Sequence, residues 1–147
     1  MKTIAVGYDG SKASKRALQR AVELAETFKS RLLVITVAEL IPTAADPAFP
    51  GDAMGLASAT TTAIPDEAEA KRELHDAQSI LSGRAVEVEY VEVVGDPADA
   101  IVDEAEAREA ELIVVGTRHP GFLQRLFGGD IGEAVSRRSQ RDVLIVH

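Results

Sequence analysis

Four almost uninterrupted apolar runs constrain this chain most: Thr3 to Tyr8, Leu32 to Val37, Leu112 to Val115 and Val143 to Val146. A strand that is apolar on every residue is buried on both faces, which happens in a parallel sheet covered by helices. Between the first two runs, Ala17, Leu18, Ala21, Val22, Leu24, Ala25 and Phe28 recur at helical spacing. Residues 12–29 therefore predict an amphipathic helix, with Asp9-Gly10-Ser11 as the turn before it and Ser11 as its N-cap.

Residues 38–64 break this rhythm with Pro42, Pro47, Pro50, Gly51 and Gly55, and are expected to form one long, mobile loop. Pro65 then suits the first turn of a helix that runs to about Leu81, with Asp66 and Glu67 near its positive end. Only Ala68, Leu74, Ala77 and Leu81 offer that helix an apolar face, so it is expected to lie partly exposed. Residues 86–94 alternate, with Val86, Val88 and Tyr90 set against Glu87, Glu89 and Glu92, the pattern of a half-exposed edge strand. Asp96 and Pro97 start the next helix as N-cap and N1, and Ala98, Ile101, Val102 and Ala105 form its buried stripe. A last helix over 131–138 opens with Asp130 and Glu133 spaced as a capping box.

The resulting order is β-α-β-loop-α-β-α-β-α-β, an α/β fold. It predicts one domain over residues 1–147, with a single doubly wound, five-stranded parallel sheet and helices on both faces. Ligands of such sheets sit at the carboxyl ends of the strands where strand order reverses, and Asp9, Val37 and Gly116 all stand at carboxyl ends.

Composition narrows the function classes. The formal charge is −8, which argues against nucleic acid as a partner. The chain has no cysteine, which excludes thiol catalysis and disulfides. No apolar run approaches the ~20 residues that span a bilayer, so neither membrane insertion nor a signal peptide is expected, and a cytoplasmic location is. Two stretches depart from the acidic balance. Arg118, His119 and Arg125 fall in 116–129 without an acid, and Arg137, Arg138 and Arg141 cluster near the last turn. The latter suit the negative end of a helix.

The first of these stretches carries the chemistry. Leu112-Ile113-Val114-Val115 runs into Gly116, a basic loop follows, and Gly128-Gly129-Asp130 opens a helix. Backbone N–H groups at a helix start point at an anion, and glycine permits close approach. Together with the opening Ile4-Ala5-Val6-Gly7-Tyr8-Asp9-Gly10-Ser11 and the Val94-Gly95-Asp96-Pro97 element, this strand and loop resemble the universal stress protein family over essentially the whole chain.

That resemblance implies strand order 3-2-1-4-5, a homodimer that pairs the last strands (Val143 to Val146) of two subunits, and in many members ATP binding. The family's ATP motif is a glycine, two residues, a second glycine, nine residues, then glycine and serine. Gly116 and Gly129 match it, while His119 replaces the second glycine and Asp130 the serine. Asp9 matches the aspartate near the adenosine, and Val37 and Val115 match apolar positions beside adenine and ribose. Arg118 and Ile131 flank the altered phosphate half. A carboxylate donates no hydrogen bond to phosphate. At ~4 Å and an effective dielectric near 20, one like-charge pair costs about 4 kcal/mol. Against this, Arg118 and His119 supply positive charge, and Asp130 is able to hold Mg²⁺ that enters only with nucleotide.

Each residue also has a plainer reading: Asp130 as a helix cap, Asp9 as a turn residue, His119 as a solvated loop side chain. No catalytic residue is assigned. A triad of Asp9, Ser11 and His119 lacks any fixed hydrogen-bond order, and the glycine-lysine-serine phosphate loop is absent, leaving at most a slow nucleotide hydrolase. A response-regulator receiver would need an acidic pair after the first strand and a lysine after the fifth, and neither is present. Two readings remain. One is a stress-response module that binds ATP or AMP. The other is a nucleotide-free homodimeric scaffold whose 38–64 loop and acidic surface contact a partner protein not identified by the sequence.

Overall fold

The computed structural model describes residues 1–42, 63–117 and 130–147. Strand β1 (Thr3–Gly7) is buried at every residue because it lies at the centre of the sheet. On one side it pairs in parallel with β2 (Arg31–Ala38), matching Val6 to Val34. On the other it pairs with β6 (Leu112–Gly116), matching Val6 to Val114. The parallel edges are β5 (Val88–Val94), beside β2, and β7 (Asp142–Val146), beside β6. The order β5-β2-β1-β6-β7 is the predicted 3-2-1-4-5 arrangement of five parallel strands.

Side chains alternate across a strand, so each central strand feeds two cores. Ile4, Val6, Leu32, Val34 and Val114 pack under α1 (Lys12–Phe28) and α2 (Glu67–Leu81). Ala5, Leu33, Ile35, Ile113 and Val115 pack on the opposite face under α3 (Pro97–Ala107) and α4 (Ile131–Arg138). Each fully buried branched side chain contributes ~1.5–3 kcal/mol. This two-faced burial is why the central strands read as continuous apolar runs.

The caps follow the sequence. Ser11, Asp66, Asp96 and Asp130 each accept a backbone N–H at the start of their helix. Helix α1 ends where Lys29 turns left-handed at φ 57°, and the Ser30 N–H bonds back to the Ala25 carbonyl at 2.9 Å.

Four expectations change. The stretch 38–64 is not all loop: β3 (Leu40–Pro42) and β4 (Ala63–Pro65) form an antiparallel pair, with residues 43–62 outside the described residues. Pro65 therefore ends a strand, and α2 begins after it with Asp66 as N-cap. In α2 the buried positions are Ala70, Ala77 and Leu81, whereas Ala68 is exposed, because the helix turns its Ala70 side to the sheet. Phe28 keeps the α1 spacing but is 51% exposed, at the very last residue of the helix.

Candidate functional site

The sheet reverses its strand order at β1, whose neighbours β2 and β6 come from opposite halves of the sequence. Asp9, Val37, Val115 and Gly116 are brought to the carboxyl ends of these three adjacent strands, and Asp130 and Ile131 start the helix that follows β6. Arg118, His119 and Gly129 lie outside the described residues.

Asp9 shapes the β1–α1 turn. Its Oδ1 accepts the Ser11 N–H at 3.0 Å, and its own N–H donates to Ser14 Oγ at 3.3 Å. Ser11 Oγ in turn accepts the Ser14 N–H at 3.1 Å. Aspartate suits such a turn because its short side chain reaches the backbone two residues on. Val37 is half-buried, while Val115 is 1% exposed, so what Val115 brings to the strand end is main chain.

Gly116 has a structural reason of its own. A Cβ placed there would lie 2.5 Å from both the carbonyl carbon and oxygen of Ala13, so the first turn of α1 sits directly against the end of β6. Only glycine allows that approach. The Thr117 N–H continues the ladder to the Val146 carbonyl at 2.9 Å.

Asp130 caps α4 by accepting the Gly132 N–H on Oδ1 at 3.1 Å. Glu133, expected to complete a capping box, instead pairs with Arg137 one turn on at 3.3 Å. Arg138 reaches Asp99 at 2.8 Å and Asp96 at 3.6 Å, which ties the end of α4 to the start of α3. Arg137 and Arg138 occupy the last turn of their helix, where positive charge is favourable.

An acidic wall beside this site escaped the sequence reading. Tyr8 is buried at the end of β1, and its hydroxyl donates to Asp76 on α2. Lys15 Nζ reaches the same Asp76 oxygen at 3.1 Å. The hydrogen bonds from Tyr8 and then Lys15 hold the Asp76 carboxyl below its usual range. Burial, and then the Asp76 charge, push the Tyr8 phenol well above its usual value.

One turn earlier on α2, Glu73 places its Cγ 3.9 Å from where a Gly10 Cβ would stand. Burial first, and then the charges of Glu69, Glu39 and Asp66, raise Glu73 to about 7. Glu39, just past β2, is raised by burial and by Glu69 and Asp96. The available signal was the spacing Asp66, Glu69, Glu73, Asp76, one acidic line along α2 beside Ala70 and Ala77. Thr36, buried one residue before Val37, has no hydrogen-bond partner for its hydroxyl among the described residues.

No described helix is long and apolar enough to cross a membrane, and no described group of His, Cys, Asp and Glu has the arrangement of a metal centre.

Comparison with known proteins agrees with this geometry. The model of the universal stress protein family matches residues 1–147. Universal stress protein Rv1636 of Mycobacterium tuberculosis is 35% identical, covering 99% of this chain and 96% of its own. A universal stress protein solved in complex with cAMP superposes with a TM-score of 0.68 at 31% identity, covering 99% of this chain and 97% of its own. The universal stress protein from Archaeoglobus fulgidus in complex with dAMP gives a TM-score of 0.67 at 25% identity, covering 100% and 98%.

Proposed function

The chain belongs to the universal stress protein family, and from that membership we propose that it is a non-enzymatic stress-response module that binds an adenine mononucleotide of the AMP class. The adenosine would lie against Asp9, Val37 and the main chain at Val115. The phosphate would face Gly116, Arg118, His119, Gly129, Asp130 and Ile131.

The observation that carries the preference for one phosphate over three is the Asp130 cap. Its carboxylate already takes the Gly132 N–H at the start of α4, where an anion would otherwise be received. A polyphosphate brought to that helix start meets a fixed negative charge at a cost of about 4 kcal/mol for a pair ~4 Å apart. Mg²⁺ would enter only with nucleotide. The cAMP and dAMP bound in two similar structures each carry a single phosphate.

Calorimetric titration with AMP, ADP and ATP, with and without Mg²⁺, tests this reading. AMP is expected to bind more tightly than ATP, and Asp130→Ser combined with His119→Gly is expected to create ATP binding. Absence of heat and of any thermal shift with all three nucleotides refutes nucleotide binding and leaves the scaffold reading.

The half-buried edge strand β7 supports homodimerisation through Val143 to Val146, since an apolar edge that pairs with its twin is no longer open. Light scattering that returns a monomer at working concentration would overturn this part.

A further inference from the structure

We propose that the end of the sheet opposite the nucleotide site carries a second anion site, a small cationic cavity that takes the phosphate group of a phosphomonoester or of inorganic phosphate. The cavity measures about 320 Å³ and lies where the amino ends of β1, β2, β6 and β7 meet the end of α3. Its charged lining is Lys2, Arg31, Arg108 and Arg141 against Glu109 and Glu111. Four cations face two carboxylates, in a chain whose formal charge is −8.

The existing pairings leave part of this charge unspent. Arg108 is held by Glu104 at 2.9 Å and by Glu89. Arg31 has Glu89 only at 3.6 Å. Glu111 is turned to the amino terminus, accepting the Lys2 backbone N–H at 3.3 Å with the terminal ammonium 3.6 Å away. Among the described residues, the side chains of Lys2 and Arg141 have no carboxylate within ion-pair distance.

The turn that carries Arg141 is braced through its backbone. The Arg141 N–H donates to Ser139 Oγ at 2.9 Å, and the Gln140 N–H beside it reaches Glu106 on α3 at 3.5 Å. An arginine on a braced turn loses less freedom on binding than one on an open loop. Guanidinium forks match the oxygens of a phosphate, and lysine adds a point charge. Glu89 and Glu104 engage Arg31 and Arg108, which leaves Lys2 and Arg141 as the cations that would meet a phosphate.

The site is separate from the nucleotide site and does not depend on it. The test is a titration of ¹⁵N-labelled protein with inorganic phosphate and, in a second arm, with glycerol phosphate, against sodium chloride at equal ionic strength. Saturable shifts are expected at Lys2, Thr3, Arg31, Glu109 and Glu111. A tighter response in the second arm identifies an esterified phosphate as the ligand, and an equal response identifies the free anion. Arg141→Ala, at an exposed position, is expected to weaken binding about tenfold, and Lys2→Ala to weaken it in the same direction. Shifts confined to the start of α4, shifts reproduced by chloride, or affinity unchanged in both variants would overturn the proposal.

Discussion

Replacing Glu73 with glutamine should stabilise the protein in alkaline solution and leave it unchanged in acid. The carboxyl lies half-buried on α2 opposite Gly10, and its neighbours Glu69, Glu39 and Asp66 outweigh the single favourable charge of Arg72. Burial and these charges raise it from the ordinary 4.5 to about 7. The folded state thus holds this proton more tightly than the unfolded chain. Its contribution is fully present below pH 4.5 and is lost as the pH rises through about 7. At ~1.4 kcal/mol per pH unit the loss would reach ~3.4 kcal/mol for a dry site. Solvent at this half-open position screens it to ~1–2 kcal/mol.

Glutamine keeps the shape and carries no charge. Urea unfolding at about pH 8 should therefore place the midpoint of Glu73→Gln above that of the parent by ~0.5–1 M, given a slope of ~2 kcal/mol per molar. At about pH 4 the two midpoints should coincide. A difference of equal size at both pH values, or a loss of stability at the higher one, would refute the electrostatic account of this wall.

Other substitutions probe the site's framework. Gly116→Ala must push the Ala13 backbone, whereas the one clash of a Cβ at Gly7 is with a side-chain end, the Ile101 Cδ1 at 2.7 Å. Thermal unfolding should show the Gly116 variant ~1–3 kcal/mol less stable and the Gly7 variant clearly less affected, and the reverse order would contradict the packing. Asp130→Ala removes the α4 cap and should cost ~1 kcal/mol, with Asp130→Ser restoring most of it in the same denaturation assay. Thr36→Val exchanges a buried hydroxyl without a described partner for a methyl group and should be neutral or stabilising; a loss above ~1 kcal/mol would mean that the hydroxyl has a partner.

The two-layer burial was legible in the sequence because central strands such as Leu32 to Val37 announce their burial in every residue, whereas the strand order followed only from the family resemblance. The starts of α1, α3 and α4 were legible because Ser11, Asp96 and Asp130 each cap in the expected way. The β3–β4 pair was not. Its strands are three residues each, Leu40–Pro42 and Ala63–Pro65, too short for periodicity, and Pro42 argued for loop while Pro65 argued for a helix start. The wall of Glu39, Glu73 and Asp76 was hidden for another reason. An acidic line on a weakly apolar helix looks like a solvated face until Tyr8 and Gly10 are known to lie opposite it. Gly116 was noticed for a ligand's sake, while the contact that makes it necessary, with Ala13, joins residues far apart in the chain.

The β3–β4 ladder has a bearing on what this fold tolerates. Ile41 is matched to Ile64 and Pro42 to Ala63, so whatever sequence occupies positions 43–62 leaves and re-enters at neighbouring points. With the exit and return fixed in this way, doubling the length of a flexible insert would cost only ~0.6 kcal/mol of closure entropy. The ladder makes this position a socket: a place where one scaffold can exchange recognition elements, by natural variation or by grafting, without renegotiating its core.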